Sequence, residues 1–354
     1  MEAVIVSYRL GGDDGVSVEA AKWGWGLRQL GFTVRRVAGT ISGPRQRDDV
    51  ELAGLALDAA VPPSPADVRA AIGDADLVVV ENICSLPLNA GAARAVARAV
   101  EGHTGRVVFH HHDLPWQRRH LRELEHEFPP RLAGARHVTI NLRSRRELEA
   151  RGYDACTVHN YFDFDAPEGE RAATRAMHGF ADDDLVLFHP ARAIERKNVP
   201  GGIRFAAALA ALFPDRRIRY WLSGPAEDGY GPTLERVLER ATVPVTLARP
   251  PTAADGYAAC DVVVFPSTWE GFGNPVIESI VARRPCAAFR YPVLAEILAT
   301  GVRVLSTEEP ESVAKFLSEP AEVRSRHLEV NRHRAQLSFS LDDLPGAIAE
   351  ALGL

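Results

Sequence analysis

One pattern governs what this chain can fold into: a short apolar run, a polar turn, then a stretch long enough for a helix, repeated from end to end. Apolar runs lie at 3–7, 33–37, 77–81, 106–111 and 137–140, and again at 185–189, 218–223, 244–247, 261–266, 285–289 and 302–305. Most are continuously apolar rather than alternating, which is the pattern of strands covered on both faces. Between them lie helix-length stretches at 16–30, 65–72, 90–99, 143–151, 202–212, 233–240, 274–282 and 294–300. Strand alternating with helix predicts parallel sheets layered by helices. The alternation runs twice, interrupted by the polar stretch 163–184, read as a loop-like linker in which Asp182, Asp183 and Asp184 are solvated. The fold class expected is therefore α/β, with two doubly wound parallel-sheet domains. Their expected bounds are 1–165 and 166–338, with a terminal helical segment 339–354 packing back on the first domain. A cap-like Ser340-Leu341-Asp342-Asp343 is expected to open that last segment.

Composition narrows the function classes. The 354 residues carry 41 basic and 47 acidic side chains, a net charge of −6, which argues against general nucleic-acid binding. No apolar run approaches the ~20 residues of a membrane-spanning helix, and the N-terminus lacks a basic region followed by a long apolar core. Cys84, Cys156, Cys260 and Cys286 are far apart and form no CxxC pair, so neither a disulfide framework nor a zinc site is expected, and a reducing cytoplasm fits. Residues 118–151 hold nine arginines against five glutamates. That segment could make weak peripheral contact with an anionic membrane face, or be a solvated helical surface of mixed sign. Lysine occurs only at Lys22, Lys197 and Lys315, so a lysine at a strand end is informative.

Open α/β sheets bind ligands beyond the carboxyl ends of their strands, and two such domains would set two crests across a cleft. Gly11 and Gly12 follow the first strand and precede a helix, where glycine allows close ligand approach and a helix start attracts anions. His110-His111-His112-Asp113 ends another strand. Side chains alternate along a strand, so at most two of these histidines converge, and no partner at zinc-ligand spacing is evident. One histidine at the crest, with Asp113 as its orienting partner, is expected, and Trp116 could line an acceptor pocket. Arg192 and Lys197 follow the first strand of the second half, a guanidinium and an ammonium suited to a diphosphate. The longest motif is Pro266-Ser-Thr-Trp-Glu270-Gly271-Phe272-Gly273-Asn274-Pro275-Val-Ile-Glu278, in which two carboxylates flank a glycine-rich helix start. Carboxylates accept from sugar and ribose hydroxyls, and helix-start amides attract oxygen anions.

These residues resemble the retaining glycosyltransferases of family 4, which have the GT-B fold. The likeness rests on Glu270 through Glu278 as a Glu-x7-Glu block and on the preceding Val-Val-Phe-Pro-Ser. It extends to Gly11-Gly12, the His112-Asp113 pair, Arg192 with Lys197, and Gly224-Pro225. It spans about residues 4 to 305, with departures at Asn160-Tyr161, Asn274 and the extra His110 and His111. The resemblance implies a nucleotide-diphosphate sugar held mainly by the C-terminal domain, UDP- or GDP-linked by default, and a hydroxyl acceptor held mainly by the N-terminal domain. It implies retention of configuration without an essential metal or cofactor. Arg192 and Lys197 would contact the diphosphate. Glu270 would contact the donor sugar, helped by amides around Gly271, Phe272, Gly273 and Asn274, and Glu278 would contact the ribose. Gly12 would approach donor phosphate or acceptor, Gly224 would shape the donor site, and His112 would lie against the sugar. Gly11, His111, Asp113 and Trp116 are assigned to the acceptor. Glu270→Ala and Lys197→Ala are expected to abolish transfer with little loss of folding.

Other readings are weaker. A tandem Rossmann dehydrogenase requires GxGxxG and a later acidic residue, which neither half has. A GT-B phosphorylase, an epimerase or hydrolase of nucleotide sugars, or a non-catalytic nucleotide-sugar-binding protein would share the donor residues. Oligomeric state, base, sugar and acceptor are left open by the residues.

Overall fold

The computed structural model describes residues Met1–Leu354 as two compact units. The first comprises Met1–Tyr161 with Leu341–Leu354, and the second Phe162–Ser340. The chain therefore changes unit a few residues before the expected 165 and returns just after the expected 339.

The first unit holds β1 (Glu2–Leu10), β2 (Thr33–Ile41), β3 (Val50–Glu51), β4 (Leu77–Glu81), β5 (Arg106–His111), β6 (Arg136–Thr139) and β7 (Ala155–Thr157). They form one parallel sheet ordered β3-β2-β1-β4-β5-β6-β7. Strand order reverses between β1 and β4, so the loops leaving those strands diverge and open a crevice at the sheet's carboxyl edge. The edge strands β3 and β7 span two and three residues, too short for a hydrophobic pattern to announce them. Val4, Val6, Val78, Val80, Val107 and Phe109 pack on one face, and Ile5, Leu77, Val79 and Val108 on the other, each face closed by helices.

The C-terminal helix Leu344–Leu352 belongs to this second face. Leu344 and Ile348 pack on the helix Gly15–Gln29, where a Cβ at Gly26 would lie 2.9 Å from the Ile348 Cδ1. Arg106 and Arg136 donate to the carbonyls of Leu352 and Ala351 at 2.5 and 3.1 Å, placing cations at the negative end of this helix. Ser340 does not open the segment. It is the C-cap of the helix Ala321–Phe339, and a 3-10 turn, Leu341–Asp343, precedes the last helix instead.

The second unit holds β8 (Leu185–His189), β9 (Ile218–Leu222), β10 (Val245–Leu247), β11 (Val262–Phe265), β12 (Cys286–Ala288) and β13 (Leu305–Ser306). All pairs are parallel, in the order β10-β9-β8-β11-β12-β13, with the reversal between β8 and β11. The stretch 163–184 is not simply a solvated linker. It contains the helix Arg171–Met177, and Arg175, 3% exposed, donates to the Ala259 and Asp184 carbonyls. Asp184 is itself buried and accepts from the Ala181 amide at 3.0 Å.

Candidate functional site

Each sheet carries a cluster of polar side chains at its carboxyl edge. In the second unit, β8 passes through a short loop into one 3-10 turn, Glu195–Lys197. Asn198, left-handed at φ 50, ends that turn and caps the helix Val199–Leu212 by accepting from the Gly201 amide at 3.1 Å. The tight exit aims Arg196 and Lys197 at the loop after β11. There Glu270, 7% exposed, accepts from Lys197 Nζ at 2.6 Å and from Arg196 Nη1 at 2.8 Å. Burial alone would raise the Glu270 carboxyl, but Lys197 and Arg196 outweigh it and bring it down to about 2. The pair holds an ionised carboxylate in place, and an ammonium has three donors, enough to serve this carboxylate and a second anion together. Beneath lies His189, whose Nδ1 meets Tyr220 Oη at 2.6 Å while its Nε2 is buried without a partner. Burial and then Lys197 push this imidazole down to about 3, so it is neutral.

Arg192 takes a different position. Its Nη1 pairs with Glu227 Oε2 at 2.5 Å, with about a third of each side chain exposed. Such pairs contribute only ~0–1 kcal/mol, so this guanidinium can change partners cheaply. Gly224 sits against it, since a Cβ there would come 2.6 Å from the Arg192 Cα. Gly273 is equally required: its φ is +111, and a Cβ would lie 1.9 Å from Tyr291 Oη, which donates to the Phe272 carbonyl at 2.9 Å. Gly273 opens the helix Asn274–Val281 with no side chain capping it. The Phe272 ring turns into the core against Phe162 and Phe339 and anchors the loop, so what it can give a ligand is backbone. Gly271, half-buried, follows Glu270 directly. One turn into the helix, Glu278 accepts from Tyr257 Oη.

In the first unit, the register sets Glu81 at the end of β4 opposite His110 of β5. His110 and His112 project to the same side. His110 Nδ1 meets Glu81 Oε2 at 2.8 Å and His112 Nε2 meets Glu81 Oε1 at 2.6 Å. Glu81 is wholly buried. Burial alone would raise its carboxyl, but His110 and His112 bring it down to about 2. Burial disfavours the His112 cation, yet Glu81, then Glu19 and Asp113, raise the imidazole above its ordinary value. The ligating atoms of Glu81, His110 and His112 all lie within 4.8 Å of one another, a set that could hold a cation. Each carboxylate oxygen already receives one imidazole, which satisfies the set with protons alone.

Three expectations for this crest are corrected. Asp113 does not orient His112: it pairs with Arg118 at 2.8 Å, contributes only its field, and leaves the hydrogen bond to Glu81. His111 does not join His110 and His112. Strand alternation turns it to the opposite face, wholly buried, with Nδ1 at 2.5 Å from Ser85 Oγ and Nε2 at 2.9 Å from His137 Nδ1. The helix start after Gly12 does not offer its first amides, because Asp14 accepts from Val16 and Ser17 at 3.2 and 3.3 Å. Gly12 itself has no atom nearer than 3.4 Å to a built Cβ, whereas Gly11, at φ +75, is pressed on the Ser42 carbonyl. Trp116 is half-buried, its indole N–H on Glu147 at 2.8 Å and the Arg151 guanidinium 3.9 Å from its ring centre.

Residues that the sequence reading missed are the partners: Glu81, Arg196, Glu227, Tyr257 and Tyr291. Only Glu81 carried a signal, as a carboxylate closing an otherwise apolar strand.

The two parallel sheets, each reversing its strand order, have the GT-B fold, and the chain is similar to glycosyltransferases. Residues 185–320 match the family model described as Glycosyl transferases group 1. The chain is similar to mannosylglucosylglycerate synthase of Thermotoga maritima, at 28% identity over 86% of this chain and 84% of that protein. It is also similar to mannosylglucosylglycerate synthase of Petrotoga mobilis, at 26% identity over 86% of each. Among solved structures, Anabaena Alr3699/HepE in complex with UDP-glucose superposes with a TM-score of 0.74 over 100% of this chain and 99% of that one, at 18% identity. No helix is long and apolar enough to cross a membrane.

Proposed function

We propose that this glycosyltransferase moves a hexosyl group, with retention of configuration, from a UDP- or GDP-linked sugar to a hydroxyl acceptor, without an essential metal or cofactor. The observation that carries the reading is Glu270 held ionised between Lys197 and Arg196, three residues before Gly273 opens the next helix. In this reading Glu270 accepts from sugar hydroxyls, Glu278 from the ribose, and Lys197 and Arg192 face the diphosphate. As the glycosidic bond breaks, negative charge grows on the leaving diphosphate. Fixed cations and a helix start stabilise that charge more in the transition state than in the ground state. The acceptor oxygen attacks the anomeric carbon on the face the diphosphate leaves, and its proton passes to the departing phosphate oxygen. His112 contacts substrate. The segment 118–151 is read as a solvated surface, since Arg118, Arg136, Arg143 and Arg145 are paired with Asp113, Asp154, Glu147 and Glu149.

The relatives' name supports a mannosyl donor and glucosylglycerate as the first pair to assay. A thermal-shift panel with UDP, GDP, ADP and TDP, each with Mg²⁺ or EDTA, tests the donor site. Occupancy at 100 times the dissociation constant stabilises by about 2.7 kcal/mol. One diphosphate raising the melting temperature equally in both conditions is expected. A shift only with Mg²⁺ overturns metal independence, and no shift with any nucleotide overturns the donor site.

A further inference from the structure

We infer that Glu81 is a positioning residue for His112, gripping the imidazole by Nε2 so that Nδ1 is the atom presented to substrate. This rests on the reading of His112 as a substrate contact.

The grip comes from two consecutive residues at the end of β4. Glu81 holds the ring at 2.6 Å, and Asn82 Oδ1 accepts from the His112 amide at 3.1 Å. Asn82 sits in the left-handed region at φ 58, and its own amide donates to the His110 carbonyl at 2.9 Å. Side chain and backbone of His112 are thus both fixed from the neighbouring strand. His110 is the brace: its Nδ1 takes the other Glu81 oxygen, its ring lies 4.3 Å from Trp23, and its Nε2 is buried with no partner. His112 is faced by Glu81 from β4, Glu19 from the helix Gly15–Gln29, and His110, His111 and Asp113 of its own segment.

A wholly buried carboxylate is costly unless paired, and filling the space asks only for an apolar side chain or an amide. What a carboxylate does that an amide cannot is accept from two imidazoles at once. Glutamine at 81 would accept from one ring and donate to the other, forcing one histidine into the opposite tautomer.

The test is ¹⁵N-histidine NMR on the full-length protein, with nucleoside diphosphate release from GDP-mannose and UDP-glucose. In the wild type His112 should keep its proton on Nε2 from pH 6 to 9, and a proton found on Nδ1 alone overturns the proposal. Glu81→Gln should shift the His112 ring signals and lower kcat by about tenfold to a hundredfold, with the donor KM within about threefold. The double variant with His112→Ala should be no slower than His112→Ala alone. Unchanged ring signals, or losses that multiply in the double variant, overturn it. Should Glu81→Gln fail to fold, Glu81→Asp keeps the charge with a shorter reach and should show the same ring shift in milder form. Wild-type turnover in His112→Ala sinks the substrate-contact reading instead, and the ring signals of Glu81→Gln report on the grip separately.

Discussion

Glu81 and Glu270 occupy equivalent places in the two sheets. Glu81 closes β4, beside β1, and Glu270 lies in the loop after β11, beside β8, each strand standing across the point where strand order reverses. Both are buried, both are held near a pKa of about 2, and each accepts from two nitrogen bases. The partners differ. Glu81 takes two imidazoles from the next strand outward, whereas Glu270 takes an ammonium and a guanidinium from the turn after the neighbouring strand. Imidazoles titrate near neutrality and the other two cations do not. The same fold thus builds one crest on imidazoles and one on an ammonium and a guanidinium, with burial lowering the ammonium of Lys197 below its ordinary value against the pull of Glu270.

Breaking the Glu270 crest should have the largest effect. Glu270→Ala should lower transfer by 10³-fold or more in a steady-state assay, about 4 kcal/mol of barrier. It should also destabilise the fold by roughly 3–5 kcal/mol in urea unfolding, because a buried ammonium loses its counter-ion. The burial of this pair predicts a larger loss of folding than the residues alone suggest. Glu270→Gln should lose activity with a smaller stability loss.

Gly273→Ala comes next. A left-handed backbone and the Tyr291 hydroxyl both oppose a Cβ, and strain of this kind costs on the order of 1–3 kcal/mol. A lowered melting temperature with weakened UDP or GDP binding is expected; a melt equal to wild type would show that the loop relaxes freely.

The two crests should also separate by pH, read as melting temperature against pH. Glu270 is depressed below its ordinary 4.5, so its contribution is complete above that value and fades as pH falls toward about 2. His112 is raised above its ordinary 6.5, so its contribution is complete below that value and fades as pH rises through the raised one. Glu270→Gln should soften the acid limb and spare the alkaline one, Glu81 keeping the rest of the acid dependence, whereas His112→Asn should flatten the alkaline limb and also move the acid one, because His112 helps to lower Glu81.

Arg192→Ala should be the mildest for the fold, within ~1 kcal/mol, because about a third of each side chain in its pair with Glu227 is exposed. Nucleoside diphosphate affinity by calorimetry should nevertheless fall about tenfold, the loss of one charge-assisted contact.

Much of this was legible in the residues. The continuous apolar runs gave β4, β5, β8, β9 and β11 nearly to their ends and all but the last three residues of β1 at its carboxyl end, because strands covered on both faces cannot hide in an alternating pattern. The crest positions of Lys197, Glu270 and Glu278 followed from glycine and proline placed directly after those strands. Strand alternation already requires His111 to part from His110 and His112. The edge strands β3 and β7 were not legible, being too short for any period. The helix Arg171–Met177 was missed because its polar side chains serve buried carbonyls rather than water.

The sequence by itself determined the layering, the repetition of the α/β pattern and the loops that bear chemistry, since hydrophobic period and turn residues act over a few neighbours. Only tertiary structure decided who partners whom. Asp113 adjoins His112 in the chain, yet Glu81, thirty-one positions away, holds its ring. Arg196 joined Lys197 on Glu270 across seventy-four positions, and the last helix, whose return to the first unit was legible, is held at its end by Arg106 and Arg136, which nothing along the chain indicated. Hydrogen bonds and ion pairs depend on where strand register and turn geometry set atoms within ~3 Å, and that is a property of the folded sheet, not of spacing along the chain.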